Sequence, residues 1–229
     1  MSPWLPFRWW LDRLLAVSLQ LALSPLLAVI GALVRRHDGG PALVRVPRVG
    51  KDSRPFAMWK VRTMRATTRG GLAGGPTLTS GDDDRITEIG RRLRHFRLDE
   101  LPQLLNVAVG DMAMIGPRPE SPDFVETDDA SWCRVLKARP GIAGPTQLMV
   151  HDWETSVLAG PSAENAYRDL ILPVKLAIDE WYVERASPWI DCLVVASLLQ
   201  RFLTGRPATL LSRRVRREVP AAGNVPQVI

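Results

Sequence analysis

The chain has 229 residues, enough for one domain with appendages and a substantial core. Its 30 Lys and Arg against 24 Asp and Glu give a net charge of +6 and a pI near 10.0, which favours an anionic partner: nucleic acid, a nucleotide-sugar diphosphate or an anionic membrane. Two cysteines, Cys133 and Cys192, with no CxxC and no Cys/His cluster, argue against a disulfide framework or a zinc site and for a reducing compartment.

Residues 14–34 carry no charge, and only Ser18, Gln20 and Ser24 interrupt an otherwise mostly apolar run. At 1.5 Å per residue this gives about 31 Å, enough for a hydrocarbon core of ~30 Å. The run is too long for a secretory signal and lacks a small-residue cleavage site. Trp4, Trp9 and Trp10 precede it and suit the interfacial belt. Arg8 and Arg13 lie before the run, and Arg35, Arg36, Arg45, Arg48, Lys51 and Arg54 lie after it. The positive-inside rule holds the downstream side in the cytoplasm and draws the upstream side there too. Ser24-Pro25 falls near the middle, where proline removes one helical hydrogen bond and a serine hydroxyl can satisfy a freed group. Composition alone leaves two outcomes open, a proline-kinked single span and a helix that enters and leaves the same leaflet.

Residues 38–57 read as a short strand pair or loop leaving the membrane. In Phe56-Ala57-Met58-Trp59-Lys60-Val61-Arg62-Thr63-Met64, alternation places Lys60 and Arg62 on one face of an extended segment. Two cations so spaced can reach one diphosphate, and they can equally be the solvated face of an edge strand. Residues 65–83, rich in Gly and Thr, read as a mobile loop, with Asp82 and Asp83 in a solvated turn.

Residues 98–120, LDELPQLLNVAVGDMAMIGPRPE, carry the strongest chemical signal. Asp99 and Glu100 sit where a basic stretch (Arg91, Arg92, Arg94, Arg97) gives way to an apolar one, shortly before the rigid Gly116-Pro117-Arg118-Pro119 turn. One carboxylate can attack phosphorus, a second can hold a divalent cation, and arginines can neutralise phosphate oxygens. A solvated helix start followed by a turn gives the same spacing. Pro102 is compatible with the first turn of a helix capped by Asp99.

This run resembles the signature of the bacterial sugar transferases, the small monotopic phosphoglycosyl transferases, LDELPQL-x-NV-x-x-G-D-M-S-x-x-GPRP. It matches from Leu98 through Leu104, at Asn106, Val107, Gly110, Asp111 and Met112, and again at Gly116, Pro117, Arg118 and Pro119. Ala113 stands where the family usually has Ser. Trp59-Lys60-Val61-Arg62-Thr63-Met64 is similar to the family's K-F-R-T-M, with Val61 in place of Phe. Asp84-Arg85-Ile86-Thr87 and Gly90-Arg91-x-Leu93-Arg94 are similar to its D-P-R-I-T and G-R-x-L-R, which puts an arginine, Arg94, five residues before the acidic pair. The family's Ser-Pro pair sits in a helix-break-helix, so the resemblance favours a re-entrant helix broken at Ser24 and Pro25.

Beyond the turn, residues 121–137 read as an acidic, then amphipathic helix. Arg139-Pro140-Gly141-Ile142-Ala143-Gly144-Pro145-Thr146-Gln147 is a turn-rich loop with one fixed cation. It resembles the family's R-P-G-x-x-G-x-x-Q, a phosphate- and nucleotide-facing element, which implies roles for Arg139, Gly141 and Gln147. Pro145 stands where Trp is frequent, and Val150-His151-Asp152 replaces the usual Asn-Gly-Arg. Residues 174–184 form a helix with one apolar face. Ser187 then caps another that opens with Pro188 and carries Trp189, Ile190, Leu193, Val194, Leu198, Leu199 and Phe202, a stripe for the core or the membrane interface. Arg201, Arg206, Arg213, Arg214, Arg216 and Arg217 make a basic tail, expected to be disordered from Pro220 onward. His37, His95 and His151 are scattered and receive no catalytic role.

The expectation is therefore an α/β (α+β) protein, mostly helical with a small sheet, a re-entrant membrane helix and interfacial amphipathic helices. Residues 1–37 are the membrane-associated part, 38–204 a cytoplasmic catalytic domain and 205–229 a basic, disordered tail. The resemblance implies transfer of a sugar 1-phosphate from a UDP-sugar to polyprenol (undecaprenyl) phosphate, with UMP released, on the cytoplasmic face of a bacterial inner membrane, by a chain open to homodimer formation. In that reading Asp99 attacks the β-phosphate, Glu100 holds Mg²⁺, and Lys60, Arg62, Arg94, Arg118 and Arg139 neutralise phosphate. Two competitors stand beside it. One is an inactive scaffold of a polysaccharide assembly complex. The other is a membrane-anchored nucleic-acid-binding protein, for which no recognisable nucleic-acid motif appears.

Overall fold

The computed structural model describes residues 1–65, 83–160, 162–205 and 209–226. The expected loop at 65–83 falls almost wholly outside them, Asp82 included. The described chain is mostly helical with two small β units. A short α1 (Trp4–Phe7) leads into α2 (Trp9–Asp38), and β1 (Leu43–Val49) pairs with β2 (Pro55–Val61). Helices α3 (Glu88–His95) and α4 (Gln103–Val109) flank a 3-10 turn, Leu98–Glu100. Strand β3 (Ala113–Ile115), helix α5 (Ala130–Val135) and strand β4 (Gly141–Ala143) follow. Helices α6 (Pro145–Leu158), α7 (Ala163–Ala166), α8 (Leu172–Arg185), α9 (Pro188–Thr204) and α10 (Thr209–Glu218) complete the fold.

Helix α2 is long and apolar enough to cross a membrane, about 45 Å at 1.5 Å per residue. It ends at Gly39, whose φ of 74° places its N–H against the Arg35 carbonyl. The helix runs unbroken through Pro25, and Ser24 Oγ donates to the Leu21 carbonyl at 2.8 Å. One face is bare over its length (Trp10, Leu14, Leu21, Val29, Leu33), while the other packs lengthwise on the domain. Ala16 meets Leu104, Val107 and Met112, and further along Ile30 and Val34 meet Val61 and Leu93.

β1 and β2 form an antiparallel hairpin, with Val44 opposite Lys60 and Arg45 opposite Trp59, so the strand pair or loop expected within 38–57 is a pair that takes in the extended segment up to Val61. β3 and β4 are a short parallel pair, Ala113 opposite Gly141 and Ile115 opposite Ala143. The largest core lies between α5, α6, α8, α9 and α10 and is built on Trp132, Leu148, Ile171, Ile178, Tyr182, Ile190 and Val194. Ser187 caps α9 by accepting from the Ile190 N–H, with Pro188 in the first turn, as the sequence indicates. In 121–137 the helix is confined to a 3-10 turn at Pro122–Phe124 and to α5, because Asp129 caps the latter by accepting from the Ser131 and Trp132 N–H groups.

The C-terminal segment corrects the expectation of disorder. It forms α10 and a 3-10 turn, Pro220–Asn224, and buries Leu211, Val215, Val219, Ala222 and Val225 in the main core. Leu211, Val215 and Val219 are spaced by four, so one narrow apolar stripe holds a helix whose arginines dominate its composition. Trp181 Nε1 also donates to Glu218 at 2.9 Å. Leu211→Ala is expected to destabilise the protein by about 2–5 kcal/mol, against ~0.5 kcal/mol or less for the exposed Arg213→Ala. Denaturant melts in detergent check this, and equal midpoints for the two variants would contradict the packing.

Candidate active site

The 3-10 turn Leu98–Glu100 is entered through Arg97, whose φ of 53° lies in the left-handed region where a side chain is strained. That bend turns the Asp99 and Glu100 side chains inward, and both are buried, at 6% and 9% exposure. Asp99 is not the cap of α4: the residue before that helix is Pro102, and no side chain caps it. Instead α4 is tied down by Asn106, which accepts from the Trp59 N–H and donates to the Ala57 carbonyl, both at 2.9 Å. The strand carrying Lys60 is thereby fixed against the turn carrying the carboxylates.

Lys60 Nζ lies 3.3 Å from Glu100 Oε1 and 3.7 Å from Asp99 Oδ2. Arg118 Nη2 reaches the same Glu100 oxygen at 3.3 Å, and Arg97 Nη1 stands 3.9 Å from Oε2. Arg94 donates to Thr63 Oγ1 at 2.9 Å and faces Asp99 electrostatically. The two carboxyls are pushed apart in acidity. Burial raises the Asp99 pKa, with Lys60 opposing and Glu100 adding to the rise. Burial also disfavours the Glu100 charge, yet Arg118, Lys60 and Arg97 outweigh it and hold Glu100 well below the usual carboxylate range. Paired groups driven apart in this way are what a nucleophile and a permanently charged partner require.

Arg118 is aimed by the Gly116-Pro117-Arg118-Pro119 turn. Gly116 N–H donates to the Ala143 carbonyl and Gly141 N–H to the Pro117 carbonyl, both at 2.8 Å. Behind it sits a buried cluster that the sequence reading missed. Lys175 Nζ bonds Glu120 at 3.0 Å, Glu154 at 3.3 Å and Tyr167 at 2.5 Å, and Tyr167 donates to Glu120 at 2.6 Å. The available signal was Lys175 and Asp179, four apart on an otherwise apolar stretch of α8. Asp179, whose pKa burial raises to about 7 with Thr146 and Lys175 opposing, accepts from Thr146 Oγ1.

Lys60, Arg94 and Arg118 thus gather with Asp99 and Glu100, and other predicted groups lie elsewhere. Arg62 falls just after β2 ends, so strand alternation no longer applies, and its guanidinium lies against Gly40 in a hollow with Val34, His37, Met64, Thr87 and Ile89. Arg139 donates to the Gly110 carbonyl at 2.9 Å and stacks 4.8 Å over the Trp9 ring, because the β4 register carries it to the start of α2. Gly141 is a backbone element: a Cβ there would lie 2.0 Å from the Gly116 nitrogen. Gln147 donates to the Ile142 carbonyl at 3.3 Å and borders, with Glu100, a cavity of about 310 Å³. Ser24 and Pro25 sit on α2, and neither has a described contact to the carboxylates. His151 lies by the site and is lowered to about 4 by burial and by Arg97, Arg118 and Arg201, so it is neutral at pH 7.

Among the described residues no cluster of three or more His, Cys, Asp or Glu offers a closed metal cage. The two adjacent carboxylates do fit Mg²⁺, which prefers oxygen donors and commonly takes one or two carboxylates plus substrate phosphate and water.

The sequence profile of the family described as "Bacterial sugar transferase" matches residues 5–205. A protein of Aeromonas hydrophila named UDP-N-acetylgalactosamine-undecaprenyl-phosphate N-acetylgalactosaminephosphotransferase is 33% identical over 198 residues, 85% of this chain and 43% of that protein. A UDP-glucose:undecaprenyl-phosphate glucose-1-phosphate transferase of Caulobacter vibrioides is 32% identical over 199 residues, 85% of this chain and 68% of its own length. An exopolysaccharide production protein, ExoY, of Sinorhizobium fredii is 31% identical over 214 residues, 88% of this chain and 84% of that protein. The chain therefore spans less than half of the Aeromonas relative but most of the Sinorhizobium one.

Proposed function

Because this chain belongs to the bacterial sugar transferase family, we propose that it transfers a sugar 1-phosphate from a UDP-sugar to polyprenyl (undecaprenyl) phosphate, releasing UMP and starting a cell-surface glycan. The observation that carries this reading is the buried Asp99-Glu100 pair, with acidities driven apart and Lys60, Arg94 and Arg118 gathered around it. An ionised Asp99 oxygen attacks the β-phosphorus of the donor. The bond from that phosphorus to the bridging oxygen breaks, and UMP leaves with the electron pair. A phosphate oxygen of the lipid then attacks the same phosphorus, and the Asp99 carboxylate is released. Lys60 and Arg94 neutralise diphosphate oxygens and hold the reacting phosphorus against Asp99.

Glu100, ionised and buried, is the group that would hold Mg²⁺, with Asp99 beside it, and the bound ion would offset charge on the diphosphate. The membrane arrangement follows from packing. Helix α2 lies lengthwise on the domain from Ala16 to Val34, and a helix crossing the bilayer perpendicular to its surface could not keep those contacts with a domain in the cytoplasm. This supports a monotopic placement, with the unbroken α2 lying along the cytoplasmic leaflet of a bacterial inner membrane in place of the expected break at Ser24 and Pro25. Exposed Trp189, Val195, Leu199, Phe202 and Leu203 give α9 an apolar outer face suited to the same interface. The carboxylates then meet a lipid phosphate at headgroup depth and a nucleotide from the cytosol.

The test is UMP release by purified protein in lipid nanodiscs, over a panel of UDP-sugars, with undecaprenyl phosphate and Mg²⁺. Release from at least one donor, abolished by chelation, is expected. No release from any donor would overturn the transferase reading in favour of a scaffold.

A further inference from the structure

The carboxylate pair faces two surroundings. Asp99 looks toward Lys60 and Arg94, whereas Glu100 also borders the open cavity of about 310 Å³ lined by α2, α4, α9 and the β4–α6 junction. That volume is at the lower end for ligand pockets, roughly 300–1,000 Å³. Its walls are Leu19 and Leu23 of α2, Leu104 of α4 and Leu198 of α9, and its polar end is Glu100 with Arg97, Arg201 and Gln147. An apolar slot with cations at one end suits a lipid carrying an anionic head.

Two details narrow the occupant. First, Leu19 and Leu23 of the wall belong to the membrane helix, on the side that packs against the domain. Secondly, Arg97, Arg118 and Arg201 converge: each bears on His151, and Arg118 and Arg201 both bear on Arg97. Among the described residues their ion pairs are Arg97 and Arg118 with Glu100, and Arg201 with Asp152.

We propose that this cavity seats the first isoprenoid units of the acceptor polyprenyl phosphate, with Arg97 and Arg201 holding its phosphate beside Glu100. The assignment rests on the transferase reading and deepens it by separating an acceptor side, α2–α4–α9, from a donor side at Lys60 and Arg94. The lipid then enters laterally from the leaflet along Leu23 and Leu19, and its phosphate meets Arg201 before it reaches the reacting phosphorus. Ordinary anionic phospholipid shares the phosphate chemistry, but its two acyl chains do not match a single slot.

Undecaprenyl phosphate binding is titrated on wild type, Arg201→Ala, Arg201→Lys, Leu198→Trp and Asp152→Asn in nanodiscs, and KM for the same lipid is measured in turnover. Arg201→Ala is expected to weaken binding and raise the acceptor KM about tenfold or more, with a smaller change in kcat. Arg201→Lys should restore part of the loss. Leu198→Trp, which fills the slot without touching charge, should weaken binding by a similar factor. Asp152→Asn, which breaks the Arg201 ion pair but keeps the cation, should bind within about twofold of wild type. Wild-type binding in both Arg201→Ala and Leu198→Trp would overturn the assignment. So would an equal loss in Asp152→Asn, which would trace the effect to the ion pair, or equal competition by phosphatidylglycerol, which would make the slot a general lipid site. Acceptor-independent UMP release is read on the same samples. Its absence from wild type counts against the transferase reading, while the binding titration, which needs no turnover, still decides the cavity.

Discussion

Asp99→Asn is expected to lower UMP release by about 10³-fold or more while leaving the protein folded, since it removes the oxygen proposed to attack and keeps the side-chain shape. The donor KM should not rise, because the variant leaves Lys60 and Arg94 with less negative charge beside them. Burial raises the Asp99 pKa, so the protonated, non-nucleophilic form persists to higher pH than for an ordinary aspartate, ~3.9. The acid limb of kcat/KM should therefore lie above that value, with activity falling as pH drops through it. Stability runs the other way. A carboxyl raised by folding contributes stability below its unfolded value and loses it as pH rises through the folded one. At pH 7 the ionised Asp99 is thus a cost, and Asp99→Asn should melt at the same temperature as wild type or higher, with the difference vanishing in acid. A variant that turned over at the wild-type rate would remove Asp99 from the nucleophile's role.

Gly141→Ala is expected to be the most damaging single-methyl change in the described chain. Its Cβ would lie 2.0 Å from Gly116 N and 2.6 Å from both Gly116 Cα and the Ile115 carbonyl carbon, all backbone atoms that cannot rotate away. The β3–β4 pair must separate, and with it go the hydrogen bonds from Gly116 to Ala143 and from Gly141 to Pro117. A loss above ~3 kcal/mol follows, with Arg118 released from Glu100 and activity lost. Gly223→Ala is the control, since no atom lies within 4 Å of its added methyl. Thermal melts of the two variants give the comparison, and a Gly141→Ala midpoint within 2 °C of Gly223→Ala would show that the strand pair yields.

Much of the site could be read without coordinates because its chemistry is local. Asp99 and Glu100 are adjacent, Lys60 lies on a strand whose alternation is plain, and the Gly116-Pro117-Arg118-Pro119 turn is rigid by covalent structure. The placement differs from the expectation where a boundary or a neighbour decides it. Arg62 shares the parity of Lys60, but the strand stops at Val61 and the parity with it. Arg139 looks like a cation held for phosphate, yet the parallel register of β4 delivers it to Trp9 and Gly110. Asp99 has the residue type of a helix cap, but the left-handed Arg97 bends the chain first and turns that side chain inward.

The sequence by itself determined which covalent units the molecule has to work with: an apolar helix of membrane length, a basic strand, an acidic pair and a proline-stiffened turn. These follow from hydrophobic period, strand alternation and backbone restriction, which act over a few residues. Tertiary structure alone decided what those units face. It set the opposite acidities of two neighbouring carboxyls, which depend on burial and on cations up to 40 residues away. It folded the arginine-rich α10 onto the core through one stripe of Leu211, Val215 and Val219. It also joined leucines of α2 to Arg97 and Arg201 around one cavity. Charge interactions and apolar burial depend on distance in space, and sequence separation carries no record of that distance.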